Sequence, residues 1–184
     1  MDRDAALRLL REYVKNPKMI SHCLASEMIM RKLAKHFGEN EENWGIAGLL
    51  HDIDVEITDG NPKTHGQVCI PILKEAGISD EIIDAISMHN EESAPKSRNT
   101  KFQHALAAGE TLSGMIFATA LVYPDKKISS VKVSSVIKRM KDKRFAASVK
   151  RENILECQHI NINLDKFVGM CLEALTEKEN DLSF

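Results

Sequence analysis

The chain has 184 residues, of which 43% are hydrophobic and 28% charged, and its formal net charge at pH 7 is -2. This length suits one domain that buries enough apolar surface to fold without disulfides or a structural metal. A net charge so close to zero gives no overall attraction to nucleic acid or to a membrane surface. Nucleic-acid partners are therefore not expected, and other partners have to be inferred from local features.

Targeting segments and cysteine pairs are also missing from the sequence. Residues 1–4 are charged, no apolar core of signal-peptide length follows them, and no run approaches the 18 apolar residues of a membrane span. We therefore expect a cytoplasmic protein with no membrane partner. The cysteines stand singly among apolar neighbours, which predicts buried free thiols rather than disulfides or thiolate ligands. They are Cys23, Cys69, Cys157 and Cys171.

The spacing of apolar residues, together with start and stop signals, predicts a series of helices. The first two expected helices cover residues 4–14 and 19–37, and Gly38 is the C-cap of the second. A central helix opens at 39–43 and leads to His51. The later expected helices cover residues 64–76, 79–89, 102–123 and 166–178. No segment shows the alternating pattern of a strand. The sequence therefore predicts an all-α protein, a single helical bundle.

The central predicted helix leads to a histidine and an aspartate that are adjacent in sequence. Apolar and small residues at 44–50 are followed by His51 and Asp52. Imidazole and carboxylate are ligands for zinc, manganese, iron or cobalt. Neighbouring helix positions point about 100° apart, so both side chains can serve one site only where the helix ends. The polar residues at 59–62 indicate such an end, although a helix terminus that merely carries polar residues has the same pattern.

Other candidate ligands are spread along the chain. His22, His65 and His89 each fall in a predicted helix, and Glu110 interrupts an apolar run. A buried, unpaired carboxylate is costly, so Glu110 predicts a metal or histidine partner or, alternatively, hydrogen bonds within its own helix. Taken singly, His22 also fits a half-buried helix position and His89 a helix cap. His65 is expected in the first turn of its helix, where the helix dipole favours a neutral imidazole.

The order histidine, His-Asp, histidine, histidine, acid resembles that of the HD-domain superfamily of metal-dependent phosphohydrolases, and residues from about 21 to 114 carry the resemblance. The resemblance implies an HD-type helical bundle within one domain, 1–184, with an HD-like core at about 19–125. Additional C-terminal helices would follow at about 126–180.

The resemblance also implies a ligand set. His22, His51, Asp52 and Glu110 would bind a first divalent ion, and His65 and His89 match superfamily members that hold two, with Asp52 bridging. The ions would be Mn, Fe, Co, Ni or Zn, one or two per chain. The superfamily usually has aspartate where this chain has Glu110, whose side chain is one methylene longer.

The activity implied is hydrolysis of a nucleotide or another small phosphorylated metabolite by a metal-activated water. Catalytic roles are expected for His51 and Asp52, and for Asp54, which follows the motif closely enough to reach such a water. Two alternatives remain open. Glu110 would suit a non-catalytic ligand-binding or regulatory domain, and some HD-fold enzymes use the same ligand order as di-iron oxygenases.

Residues 126–151 contain ten basic side chains and one acid, Asp142. Three interpretations compete: a solvated helix face, a basic rim that attracts a phosphorylated substrate, and a nucleic-acid surface. No known nucleic-acid motif supports the third.

Overall fold

The computed structural model describes residues 1–183, in which nine α-helices and three short 3-10 helices occur and no β-strand. The α-helices are α1 (Arg3–Tyr13), α2 (Pro17–Phe37), α3 (Glu41–Leu50), α4 (Cys69–Glu75), α5 (Asp80–Ser87), α6 (Lys101–Leu121), α7 (Val133–Lys141), α8 (Arg151–Leu155) and α9 (Leu164–Thr176). The 3-10 helices are Ile128–Ser130, Glu156–Ile160 and Glu179–Asp181. The all-α prediction is confirmed.

Three helix ends are defined by local caps, and the cap at Gly38 is one that the sequence predicts. Gly38 ends α2 in the left-handed conformation, with φ of 69°, which glycine adopts without a Cβ penalty. The Asn163 side chain caps α9 by accepting from the Lys166 amide at 2.9 Å. A capping box starts α6, because Thr100 and Gln103 bond reciprocally through side chain and backbone. The capping box places the start of the long core helix α6.

Helices α2 and α3 pack closely at the centre of the fold. A Cβ at Gly48 would lie 2.6 Å from the Ser26 carbonyl oxygen, so only glycine allows this approach of the two backbones. Every residue of α3 from 44 to 50 is buried, which explains the apolar and small residues of this segment. The helix ends at Leu50, and His51 is its C-cap. The helix end predicted at the His-Asp pair is thus confirmed.

The helix predicted at 64–76 is wrong in its first half. Successive turns lead from His51 to Val68, and α4 begins only at Cys69. The physical reason is a long-range side-chain interaction: Oδ2 of Asp54 accepts from the Gly66 amide at 2.9 Å and from the Cys69 amide at 3.0 Å. Gly66 has φ of 87°, outside the helical region. His65 therefore lies in a turn rather than in the first turn of a helix.

The C-terminal residues pack against α6 rather than forming a separate core. Ile128, Val136, Ile154 and Phe167 belong to the same buried cluster as Leu106 of α6. The boundary expected near residue 125 stays a prediction. All four cysteines are buried and free, as expected. Among the described residues, no helix is both long and apolar enough to cross a membrane.

Candidate metal centre

Four histidine rings converge where the turns after α3 meet α2 and the end of α5. The Nε2 atoms of His22 and His51 are 3.1 Å apart, and those of His65 and His89 are 3.0 Å apart. We call these four residues, together with Asp52, the histidine cluster. It joins residues from α2, the C-cap of α3, the following turns and the segment after α5.

Asp52 lies between the two pairs of rings. Its Oδ1 is 2.9 Å from Nε2 of His65, 3.4 Å from that of His51 and 3.5 Å from that of His89. Its Oδ2 is 3.5 Å from Nε2 of His22. Two trios result, in each of which the ligand atoms lie within 4.8 Å of one another: His22, His51 and Asp52, and Asp52, His65 and His89. Asp52 belongs to both trios, and its role as a bridging carboxylate stays a prediction.

Hydrogen bonds at Nδ1 turn the Nε2 atoms towards one another. Nδ1 of His51 faces the Gly48 carbonyl at 2.8 Å, and Nδ1 of His89 faces the Ile86 carbonyl at 2.6 Å. A carbonyl only accepts, so both rings carry a proton on Nδ1. In the neutral imidazole this leaves the lone pair on Nε2.

The same tautomer follows for His22 from the bonds of Ser113. The Ser113 hydroxyl donates its one hydrogen to the Glu110 carbonyl at 2.7 Å. Its oxygen, 2.9 Å from Nδ1 of His22, must therefore accept from that ring.

The convergence of these lone pairs fits a cation. Nε2 of His22 and Nε2 of His51 face each other at 3.1 Å with no hydrogen between them. The carboxylate of Asp52 lies beside both atoms. Such a group of acceptors requires positive charge, and Nδ1–H bonds to carbonyl or carboxylate oxygens are the usual way to orient metal-binding histidines. The residues present thus suit a divalent ion.

Burial and charge set the protonation of the cluster. Burial lowers the pKa of His51 to about 3 and also lowers the pKa of His22, although Asp52 opposes both shifts. Burial raises the pKa of Asp52, but the charges and hydrogen bonds of His51, His65 and His89 outweigh it and hold that pKa well below its ordinary range. His51, His22 and Asp52 are therefore in their metal-binding forms near neutral pH.

The protonation of His65 is the opposite of the one predicted from the sequence. Burial lowers its pKa, but hydrogen bonds to Asp52 and Asp54 outweigh burial and raise that pKa to about 10. The predicted preference for a neutral ring rested on a helix terminus that does not exist. A proton on His65 instead supplies the positive charge that the two carboxylates require, and an ion bound there would have to displace it.

Asp54 lies behind His65. Its side chain is fully buried, and Oδ1 accepts from Nδ1 of His65 at 2.8 Å. With the Gly66 and Cys69 amides on its carboxylate, Asp54 fixes the ring of His65 and is not among the described residues that line the cavity. A direct catalytic role for Asp54 stays a prediction, and this geometry favours a positioning role.

Glu110 lies at the edge of the cluster. Its Oε2 is 3.8 Å from Nε2 of His22, and its Oε1 accepts from the Thr111 hydroxyl. Burial, and to a lesser extent the charge of Asp52, raises its pKa to about 8. Glu110 belongs to neither of the two trios, so its assignment as a ligand to the first ion stays a prediction.

An open cavity of about 290 Å³ adjoins the cluster. Residues of the C-terminal part form one side of it, and we call Ser148, Val149, Lys150 and Asn153 the C-terminal wall. A basic rim within residues 126–151 was one of the three interpretations of the sequence, but no sequence feature separates Lys150 from its basic neighbours, so the sequence did not single out this residue.

Arg98 is a further residue that the sequence did not identify. Its guanidinium is almost fully buried and donates to the Met88 carbonyl at 2.7 Å and to the His89 carbonyl at 2.5 Å. Nη1 of Arg98 pairs with Glu156 at 2.5 Å, and the other oxygen of Glu156 is 2.7 Å from Nδ1 of His104. The C-terminal part thus fixes the backbone of His89. Glu156 lies 58 positions after Arg98, too far for a local pattern to pair them.

Curated relatives match a limited part of the chain. Ribonuclease Y of Aster yellows witches'-broom phytoplasma is 33% identical over 79 residues, 43% of this chain and 15% of that protein. Ribonuclease Y of Acholeplasma laidlawii is 32% identical over the same share of each chain. Ribonuclease Y of Oleidesulfovibrio alaskensis is 29% identical over 96 residues, 52% of this chain and 18% of that protein. The chain thus matches less than a fifth of the length of each relative.

No solved structure matches the chain significantly. The sequence profile of the HD domain matches residues 19–120, more than half of the chain and the part that carries the histidine cluster. With the all-α fold and the two trios that share Asp52, this match shows that the chain belongs to the HD domain family.

Proposed function

We propose that this protein is a metal-dependent phosphohydrolase that acts on a small phosphorylated metabolite. One observation carries the proposal: imidazole nitrogens facing one another around Asp52, next to an open cavity. Membership of the HD domain family supports metal-dependent phosphohydrolase chemistry, whereas the substrate is our inference.

Each trio would hold one ion. His22, His51 and Asp52 would hold the first, and Asp52, His65 and His89 the second, with Glu110 as an additional ligand to the first. A divalent cation in such a set supplies Lewis acidity and lowers the pKa of water. Nitrogen and oxygen ligands of this kind suit Mn, Fe, Co, Ni or Zn.

The residues of the chain would act by holding and orienting. Bonds to the Gly48 and Ile86 carbonyls keep Nε2 of His51 and of His89 directed inward, so these rings need no reorganisation during turnover. In the reaction a water oxygen bonds to phosphorus and the bond from phosphorus to the ester oxygen breaks. The proton released by the water ends on the leaving oxygen, so the products are phosphate and an alcohol.

A second candidate is hydrolysis of RNA, which the name of the relatives favours. Those matches leave more than four fifths of each ribonuclease without a counterpart here. A non-catalytic binding domain and a di-iron oxygenase also remain as alternatives, since both could use this cluster.

The first experiment is elemental analysis of protein purified without chelator or affinity metal, followed by a metal-dependent phosphate-release screen. His51→Ala should lose the bound metal and the turnover. His36→Ala is the matched control, because His36 is exposed on α2, away from the cluster.

The outcomes separate the candidates. Metal together with phosphate release from small phosphate esters supports the proposal, whereas metal with activity on RNA alone supports the second candidate. Iron with a dioxygen-dependent optical change and no phosphate release would point to the oxygenase. If no metal binds after reconstitution with Mn, Fe, Co or Zn, the non-catalytic binding domain is the alternative that remains.

A further inference from the structure

We propose that Lys150 is the phosphate-binding side chain of the cavity, and that the C-terminal wall around it selects a compact, hydroxyl-bearing phosphomonoester. This inference rests on the proposed function and names the class of substrate. It concerns residues that lie beyond 19–120, the part of the chain that the family profile matches.

The loop that carries Lys150 is held in one conformation by Arg151. The guanidinium of Arg151 donates to the carbonyls of Val149 at 2.6 Å, Ala146 at 2.7 Å and Asp142 at 3.1 Å, and also to that of Phe145. Bonds from one half-buried guanidinium to several carbonyls of a loop fix the conformation of that loop. The C-terminal wall is therefore a formed surface.

This loop also lies directly against α6. A Cβ at Gly114 would be in ordinary van der Waals contact with Cγ2 of Val149, at 3.7 Å. Gly114 follows Glu110 by one helical turn, so the wall stands beside the histidine cluster. A ligand in the cavity would contact both.

Among the described residues that line the cavity, Lys150 is the only lysine or arginine. Its Nζ pairs with Glu91, and with Glu92 at 2.6 Å. Burial lowers the pKa of Lys150, but these two carboxylates outweigh burial and raise it, so the ammonium stays charged. The side chain is 43% exposed and has room to turn towards a ligand.

Neither carboxylate is left buried without a partner if Lys150 turns away. Glu91 also accepts from the Asn153 amide at 3.0 Å and lies 3.5 Å from the Arg98 guanidinium. Glu92 is 45% exposed, so water can replace the ammonium. The Lys150 ammonium can therefore exchange a carboxylate partner for a phosphate oxygen without leaving a buried charge unpaired. An unpaired buried charge would be costly.

The charge of the cavity fits one phosphoryl group rather than a polyanion. Outside the histidine cluster and Glu110, the single ammonium of Lys150 faces the carboxylate of Glu91, which bonds to Lys150 and Asn153, and the nearby carboxylate of Glu92. Proteins that bind polyanions present several cations along the path of the chain. A triphosphate or an RNA strand would place added negative charges beside these glutamates.

The remaining lining residues indicate the leaving group. Ser148 and Thr111 offer hydroxyls, and no phenylalanine, tyrosine or tryptophan occurs among the described lining residues. Nucleobases are usually held by stacking on aromatic rings. A volume of about 290 Å³ lies at the small end for ligand sites. These features fit a sugar-like alcohol better than a nucleoside.

The test compares Lys150→Met, Lys150→Arg and wild-type protein, all loaded with metal. Lys143→Met is the matched control, because Lys143 is an exposed residue of the same loop and does not line the cavity. The substrates are a hexose monophosphate, a nucleoside monophosphate, a nucleoside triphosphate and a short 5′-phosphorylated RNA. Binding of inorganic phosphate to each protein is measured separately by titration calorimetry.

We expect the hexose monophosphate to have the highest kcat/KM. Lys150→Met should raise its KM and the Kd for inorganic phosphate about tenfold or more, with a much smaller change in kcat, since a charge-assisted hydrogen bond is lost. Lys150→Arg should restore part of the affinity, and Lys143→Met should match wild type.

Two results would overturn the inference while leaving the proposed function intact. One is an unchanged KM and phosphate Kd in Lys150→Met, and the other is a preference for the nucleoside monophosphate or triphosphate. A preference for the RNA would overturn this inference and the proposed function together, in favour of RNA hydrolysis. If no substrate is hydrolysed although metal binds, the proposed function fails. The phosphate titrations then still decide whether Lys150 binds the anion.

Discussion

Nδ1 of His65 lies 2.8 Å from Oδ1 of Asp54, and the same carboxylate accepts from the Gly66 and Cys69 amides. One buried side chain thus forms the turn that carries His65 and also sets the orientation of the ring. Carboxylates in this position commonly fix the ligand tautomer and make the imidazole more basic.

Asp54→Asn is therefore expected to weaken binding of the ion shared by His65 and His89 about 10- to 100-fold. The asparagine oxygen can still accept from His65, but its NH₂ group would then face the amides that Asp54 accepts from. Competition with a chromogenic chelator measures the change, and Asp59→Asn, at an exposed turn, is the control. Unchanged metal affinity with lost turnover would instead support a direct catalytic role for Asp54.

Arg98→Lys should disturb the same half of the cluster from the other side. Arg98 reaches the Met88 carbonyl, the His89 carbonyl and Glu156 with three different nitrogens. The single ammonium nitrogen of lysine cannot occupy all three positions, so the free energy of unfolding should fall by about 1–3 kcal/mol. Metal analysis should show weaker retention of the second ion than of the first. Arg144→Lys, with a side chain 94% exposed, should leave both measurements unchanged. Equal loss of both ions would contradict a specific role in holding His89.

Glu110→Asp tests whether the longer carboxylate binds metal. If Glu110 is a ligand, aspartate should retain or raise the affinity for the first ion, whereas Glu110→Ala should lower it. Titration of metal-depleted protein measures both. A loss in Glu110→Asp as severe as in Glu110→Ala would count against ligation at this position.

Glu110→Gln should change the pH dependence of stability in chelator-treated protein. The carboxyl has a pKa of about 8 when folded and an ordinary value of 4.5, so the folded state binds more protons between these values. Its contribution to stability is present below about pH 4.5 and is lost as the pH rises through 8. As the pH rises from 5 to 8, the free energy of unfolding of the variant should increase by about 1–3 kcal/mol relative to that of wild type. Denaturant titrations at both pH values measure this, and parallel curves would refute the assignment.

Gly48→Ala should destabilise the protein by about 1–3 kcal/mol, as overpacking does. The added Cβ would lie 2.6 Å from the Ser26 carbonyl oxygen, so the backbone of α2 or α3 would have to move. Gly169→Ala is the matched control in α9, where the nearest atom, Cγ2 of Val133, is 3.8 Å away and alanine should stabilise the helix by about 0.5–1 kcal/mol. Thermal unfolding compares the two, and equal midpoints would argue against close packing at Gly48.

The sequence by itself determined the features that depend on neighbouring residues. Apolar spacing and caps such as Gly38 predicted most helices, because helical hydrogen bonds and end signals are local. Pairing of His51 with Asp52 at a helix end followed from the polar residues after α3, and the order of the other histidines indicated the family.

Only the tertiary structure decided the features that need partners far apart in the chain. Asp54 reaches the Gly66 and Cys69 amides and replaces the first half of a predicted helix by turns, and together with Asp52 it reverses the expected protonation of His65. Glu156 meets Arg98 across 58 positions, and Lys150 meets Glu91 across 59. Such contacts depend on how helices pack, and the spacing of residues along one helix carries no information about them.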